Sequence, residues 1–362
     1  MKRWTFSYKT MIAGMLCLAV ACTDDTEPVQ DGNVLQVAGV TRADGDLNTE
    51  PVNTDGTQIK IFLTTNDASQ TGVTNGQFTC TSSGSWNSTV AVKENIQYYV
   101  YGYMPAAAAT VSDFIAHNWD YSQGVDMTLS NLPAIGETDV CVLTGLQQVT
   151  SAAATKETWT EGHVGKFGYL AIASNDNTGN YAYLLMDHLY CALKFRFNVN
   201  AVYAGLRSIH LKEVTLKTAY STMSATVYLR KDVGISTVSY SCSGDEKTIG
   251  LLTGDNNDVE LPIAPDYTPI GTEYYGAPTA DLFDTEGSHV SIVCKYDIYD
   301  TNKTTEHPNG NLVRKDCTAT NKLKLTSGMA RGKKKILTLT VNPTYLYMLS
   351  DPDLDNPTVT IN

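Results

Sequence analysis

The stretch Val290-Ser291-Ile292-Val293-Cys294-Lys295-Tyr296-Asp297-Ile298 places Val290, Ile292, Cys294, Tyr296 and Ile298 on one side of an extended chain and Ser291, Lys295 and Asp297 on the other. A period of two is the mark of a strand with one face in a core and one toward water. The same alternation runs through Leu189, Cys191, Leu193, Phe195 and Phe197. Working outward, similar segments recur at 59–63, 77–80, 89–92, 98–104, 139–143 and 168–173, and again at 209–216, 225–229, 259–263, 322–325, 335–341, 345–349 and 358–361. Clusters of Gly, Asn, Asp and Ser separate them, and helical periodicity is scarce. Many short strands with frequent turn signals predict an all-β protein built of β-sandwiches. Residues 106–119 read as a short helix or a long loop. The polar run Ser174-Asn175-Asp176-Asn177-Thr178-Gly179-Asn180 reads as a domain boundary or a hairpin tip, dividing the chain into 43–178 and 179–362. No fixed-period repeat is visible, which excludes a propeller or solenoid reading.

The N-terminus carries an export signal. Lys2, Arg3 and Lys9 precede the apolar run Met11 to Ala21, which is short for a bilayer span and ends in Ala19-Val20-Ala21-Cys22. Residues 1–21 are expected to be removed and Cys22 to receive the lipid, which would hold the precursor on a membrane. The alternative is a plain secretory signal with an incidental cysteine. The following Thr23-Asp24-Asp25-Thr26-Glu27-Pro28 suits a flexible tether. Loss of residues 1–21 leaves 341 residues with 23 basic and 38 acidic side chains, a net charge of −15 that disfavours nucleic acid as a partner. Charged residues make up 18% of the chain against about 25% in ordinary soluble domains, which fits extracellular β-structure.

Candidate chemistry is sparse. Phosphate-binding loops, dinucleotide fingerprints, H-E-x-x-H and G-x-S-x-G are absent from the sequence. Histidines 117, 163, 188, 210, 289 and 307 are scattered, without a pair at ligand spacing. Cys80, Cys141, Cys191, Cys242, Cys294 and Cys317 contain no C-x-x-C, so no zinc site, metal or cofactor is expected. Cys191 and Cys294 fall in phase with apolar neighbours and read as buried free thiols, with a disulfide framework as the alternative. Asp351-Pro352-Asp353-Leu354-Asp355 has the spacing that opens a calcium loop, yet Asn356 and Asn362 occupy the glycine and glutamate positions, so it reads as a turn, as does Gly254-Asp255-Asn256-Asn257-Asp258. Trp86, Trp119 and Trp159 are either core fillers or a sugar-stacking platform. With no convergent nucleophile, base and orienting group, the chain is not expected to be an enzyme.

Between tether and core lies Val34-Leu35-Gln36-Val37-Ala38-Gly39-Val40-Thr41-Arg42-Ala43-Asp44-Gly45, an apolar strand-like stretch ending in an arginine. Arg42 is the one basic residue between Cys22 and Lys60. A trypsin-like protease would find a single target there, between Arg42 and Ala43. An exposed arginine ahead of a linker is the plainer reading.

Together, the signal ending at Cys22, the Val40-Thr41-Arg42 step, Tyr98-Tyr99-Val100-Tyr101-Gly102-Tyr103-Met104-Pro105, His188-Leu189 leading into Leu193-Lys194-Phe195, and the end from Gly332 through Tyr345-Leu346-Tyr347 to Asp353-Leu354-Asp355-Asn356-Pro357 resemble the fimbrillin family, subunits of type V pili. The resemblance covers most of the chain. It implies two transthyretin-like β-sandwich domains in tandem, an outer-membrane lipoprotein precursor displayed at the cell surface, and removal of residues 22–42 by an arginine-specific protease cutting after Arg42. It also implies assembly with other pilus subunits by strand exchange, with the donor strand expected within Ile336 to Ile361. A monomeric surface lipoprotein that binds glycans or peptides is the alternative.

Overall fold

The computed structural model describes residues 33–43, 45–47, 51–67, 73–171, 180–254, 256–325, 329–345 and 352–362. Cys22, the signal segment, Asp44 and residues 174–179 of the polar run lie outside the described residues. Strands β1 (Gln36–Arg42), β2 (Gln58–Thr64), β3 (Thr74–Cys80), β4 (Trp86–Ser88), β5 (Gln97–Met104), β6 (Thr110–Ala116), β7 (Gly124–Pro133), β8 (Ile135–Gly136), β9 (Cys141–Val149), β10 (Gly168–Leu170) and β11 (Tyr181–His188) make up the first half. After them come β12 (Cys191–Val199), β13 (Arg207–Thr218), β14 (Thr222–Arg230), β15 (Gly234–Ser243), β16 (Lys247–Leu252) and β17 (Val259–Glu260). The last are β18 (Thr268–Gly276), β19 (Val290–Asp300), β20 (Leu312–Lys322), β21 (Lys334–Tyr345) and β22 (Pro352–Ile361).

Among the described residues these strands form four sheets. The first runs β1-β11-β9-β5-β2-β3-β4, with β10 also on β5, and faces the four-stranded sheet β15-β14-β7-β6. Aromatic side chains join the two layers: Phe114 of β6 lies 5.1 Å from Phe62 of β2 and 5.8 Å from Tyr101 of β5, ring centre to ring centre. The second sandwich pairs β22-β21-β12-β18-β8 with β16-β13-β19-β20. Its layers are tied where the Tyr274 hydroxyl donates to the Gly250 carbonyl at 3.2 Å and Asn321 Nδ2 donates to the Val359 carbonyl. The fold is therefore all-β. The alternating positions of β19 point inward: Val290, Ile292, Cys294, Tyr296 and Ile298 are all buried.

Sheet membership does not follow a single cut at 178/179. β11 lies beyond that point yet hydrogen-bonds to β1 and β9, so the first sheet continues to His188. The β14–β15 hairpin returns from the second half and pairs with β7. Met127, Leu129, Val227 and Leu229 are buried along that seam, and the Thr128 and Thr226 hydroxyls meet at 3.0 Å. In the opposite direction β8 leaves the first half to pair with β18. Burial of these apolar edges across the divide, which local patterning does not register, sets the partnership. Residues 106–119 are neither a helix nor a long loop, since β6 occupies 110–116 between short 3₁₀ turns and is held by pairing with β7. Residues 89–92 form no strand; Ala91 instead makes an isolated bridge to Val34.

A candidate cleavable strand and its Arg42 anchor

β1 is an integral part of the first sheet. It runs parallel to β11 with Gln36 opposite Tyr181 and Arg42 opposite Met186. Its other side is held at both ends. Leu35 N–H donates to the Val90 carbonyl at 2.8 Å and the Asn33 carbonyl accepts from Val92 at 2.9 Å, while near the C-terminal end Val52 N–H donates to the Val40 carbonyl at 2.9 Å. Leu35, Val37 and Val40 are 0%, 7% and 2% exposed. The inward phase shifts between Val37 and Val40 because the register slips between Val37 and Gly39. Glycine makes room there: a β-carbon at Gly39 would sit 2.8 Å from the Tyr183 ring, which would have to shift.

Arg42 and Ala43 stand at the end of this strand. Ala43 N–H donates to the Met186 carbonyl at 2.7 Å, so the peptide bond between them is held in the sheet. A protease binds its substrate as an extended chain, and this bond is presented only when the end of β1 lifts from β11. Trp159 opposes lifting, because its indole N–H donates to the Thr41 hydroxyl at 2.7 Å. The Trp159 loop is in turn fixed by Tyr183, whose hydroxyl donates to the Ala154 carbonyl at 2.8 Å, and by Gln147, whose side-chain amide donates to the Glu157 carbonyl at 3.1 Å. Trp159→Phe is expected to speed cleavage after Arg42 about fivefold, the equivalent of one hydrogen bond of about 1 kcal/mol. Timed digestion of wild type and variant measures this, and equal rates would refute a clasp role for the loop.

The Arg42 side chain turns into the protein. Its Nε lies 3.9 Å from Asp139 Oδ2, with side-chain exposures of 19% and 10%. The same carboxylate oxygen accepts from His188 Nδ1 at 2.9 Å and lies 3.6 Å from Cys141 Sγ, which is itself 3.5 Å from His188 Nδ1. Register explains the gathering: His188 is directly opposite Cys141 in the β11–β9 pair, and Asp139 precedes Cys141 by two residues, on the same side of the chain. Burial pushes the Cys141 thiol well up, and the neighbouring Asp139 carboxylate adds to that while the Arg42 guanidinium opposes it. A solvent-open cavity of ≈ 330 Å³, lined by Arg42, Gln58, Met104, Glu137, Asp139 and Tyr275, reaches this cluster.

Sequence reading singled out Arg42 and missed its partners. His188 counted as one of six scattered histidines, and the search for repeated cysteine spacing passes over a mixed Asp, Cys and His set drawn from two strands. The in-phase pair Asp139 and Cys141 was the available signal. Among the described residues the cysteines are free, and Cys80, Cys141, Cys191, Cys294 and Cys317 are buried. Burial raises the Cys191 and Cys294 thiols to about 12, so neither is an activated nucleophile. The tryptophans have separate surroundings. Trp86 is buried at 8% exposure, Trp159 clasps Thr41, and Trp119 is 92% exposed with φ 63°.

These features define an all-β protein whose first described strand is paired, half-buried and joined to the body through a basic residue. No family model matches the chain, and no curated protein does. Similar solved structures include a fimbrial protein from Bacteroides vulgatus ATCC 8482, 14% identical with TM-score 0.44 over 90% of this chain and 98% of that one. Another is a candidate cell adhesion protein from Parabacteroides distasonis ATCC 8503, 8% identical with TM-score 0.41 over 91% of this chain and 96% of that one. A third, a candidate adhesin from Bacteroides ovatus, is 9% identical with TM-score 0.37 over 85% of this chain and 89% of that one. All are distant likenesses that span nearly the whole length.

Proposed function

We propose that this chain is a non-catalytic subunit of a cell-surface fimbria serving adhesion, exported as a precursor lipid-anchored at Cys22 and activated by a cut after Arg42. The observation that carries this is the position of β1. It buries Val37 and Val40, with Leu35 buried just before it, and is the first strand of the described chain, so one cut at its end separates it completely from the body. Its departure leaves one edge of β11 without hydrogen-bond partners and uncovers an apolar groove. A strand from a neighbouring subunit would restore both, by the chemistry of strand addition to an open sheet edge. Within Ile336 to Ile361 the suitable donor is β22. Among the described residues it is the terminal strand of its sheet and pairs only with β21, whereas β21 is held between β12 and β22. The fimbrillin resemblance of the sequence points the same way.

The test is digestion of purified precursor by an arginine-specific protease, followed by electrophoresis without boiling. Wild type is expected to give a ladder of oligomers and Arg42→Ala only monomer. Monomer from both, with wild type fully cut, would sink the polymer reading in favour of a monomeric binding protein, for which the exposed Trp119 is the first place to look for glycan stacking.

A further inference from the structure

We propose that Asp139, Cys141 and His188 form a binding site for one thiophilic divalent cation of the zinc type, which Arg42 closes and withdrawal of Arg42 opens. The three ligand atoms stand 3.5 Å (Sγ to Nδ1), 3.6 Å (Sγ to Oδ2) and 2.9 Å (Nδ1 to Oδ2) apart. Ligands at ordinary zinc bond lengths in a tetrahedron are separated by about 3.3–3.6 Å. Two of the three separations already match, and the third is shortened by the hydrogen bond that holds Nδ1 to Oδ2. Thiolate, imidazole and carboxylate together are a donor set that zinc accepts.

A second observation is independent of these distances. Asp139 Oδ1, His188 Nε2 and Arg42 Nε are each buried without a hydrogen-bond partner. A buried polar cluster in which three of four members have such an atom is a poor end state for packing alone. Among the described residues these three are the only His, Cys, Asp and Glu side chains grouped closely enough to share a metal ion.

Arg42 and a dication compete for one oxygen. With Arg42 in place, the Asp139 carboxylate has a counter-charge 3.9 Å away, and a dication at the same oxygen would add uncompensated positive charge. When β1 departs, the carboxylate, 10% exposed in the intact chain, loses that cation. A metal ion would replace the lost charge. Binding releases the Cys141 thiol proton to solvent and shifts the His188 ring proton from Nδ1 to Nε2, so that thiolate and carboxylate neutralise the dication. The cavity beside Arg42 supplies the path from solvent. The opening step rests on the proposed cut after Arg42, whereas the ligand set does not.

Cobalt(II) titration of the full chain reads the site through the charge-transfer absorption of a cobalt–thiolate bond. Cut protein and uncut Arg42→Met are both expected to take up one equivalent with that absorption, about 100-fold more tightly than uncut wild type. Cys141→Ser in the Arg42→Met background is expected to abolish it, which sets Cys141 apart from the other free thiols, and Arg42→Gln serves if methionine impairs folding. No such absorption in the uncut Arg42 variants, or absorption that survives Cys141→Ser, would overturn the site. If the protease leaves wild type whole while Arg42→Met binds cobalt, the site stands and the processing model fails.

Discussion

Val40→Ser is expected to accelerate oligomer formation from fully nicked protein by about 30-fold. Val40 is 2% exposed beneath β1, and a buried valine contributes about 1.5–3 kcal/mol relative to water. Replacing it removes most of that and buries a hydroxyl, so the docked strand loses about 2 kcal/mol, or about 30-fold in its residence. The groove is unaltered, because the substitution lies on the departing strand and not on the body that receives the donor. After the nick, residues 35–42 stay docked through the β1–β11 hydrogen bonds and the buried Leu35, Val37 and Val40 side chains, so leaving is the slow step. Ala38→Ser, at a half-buried position, is the control and is expected to match wild type. Wild-type ladder kinetics for Val40→Ser with complete nicking would show that the first strand does not limit exchange.

Asp139→Ala should lower the stability of the precursor by about 3 kcal/mol, because it leaves Arg42 without its counter-charge and His188 Nδ1–H without its acceptor inside the protein. Denaturant unfolding with an unchanged slope measures the loss. Combining it with Arg42→Met should restore about 1–2 kcal/mol relative to the sum of the single effects, since removing both partners leaves no orphaned guanidinium. A loss below about 0.5 kcal/mol for Asp139→Ala would mean that the pair does not hold the end of β1.

The largest effects thus converge on a strand of seven residues, and its chemistry was only half legible beforehand. The apolar pattern of 34–41 and the isolated Arg42 stood out because neither depends on distant partners. That the strand pairs in parallel with 181–188, that Trp159 reaches it across more than a hundred residues, and that its arginine points at Asp139 follow from sheet order, which local sequence does not encode. Among the strands missed by pattern, β20 (Leu312–Lys322) has mostly polar, exposed residues and exists because neighbouring β19 supplies its hydrogen bonds, whereas β7 (Gly124–Pro133) and β11 (Tyr181–His188) are largely buried and were legible by their apolar positions.

Period-two alternation, as in 290–298, by itself determined that this chain is all-β, because the pleat allows a half-buried strand no other pattern. The cysteines in phase with apolar neighbours likewise declared themselves as core. Tertiary structure alone decided which strands share a sheet and where the chain passes between sandwiches. It also brought Asp139, Cys141, His188 and Arg42 together from three separate segments. Hydrogen-bond pairing acts between backbones whatever their separation in sequence, so residues meet by register, and register is fixed only when the whole core packs.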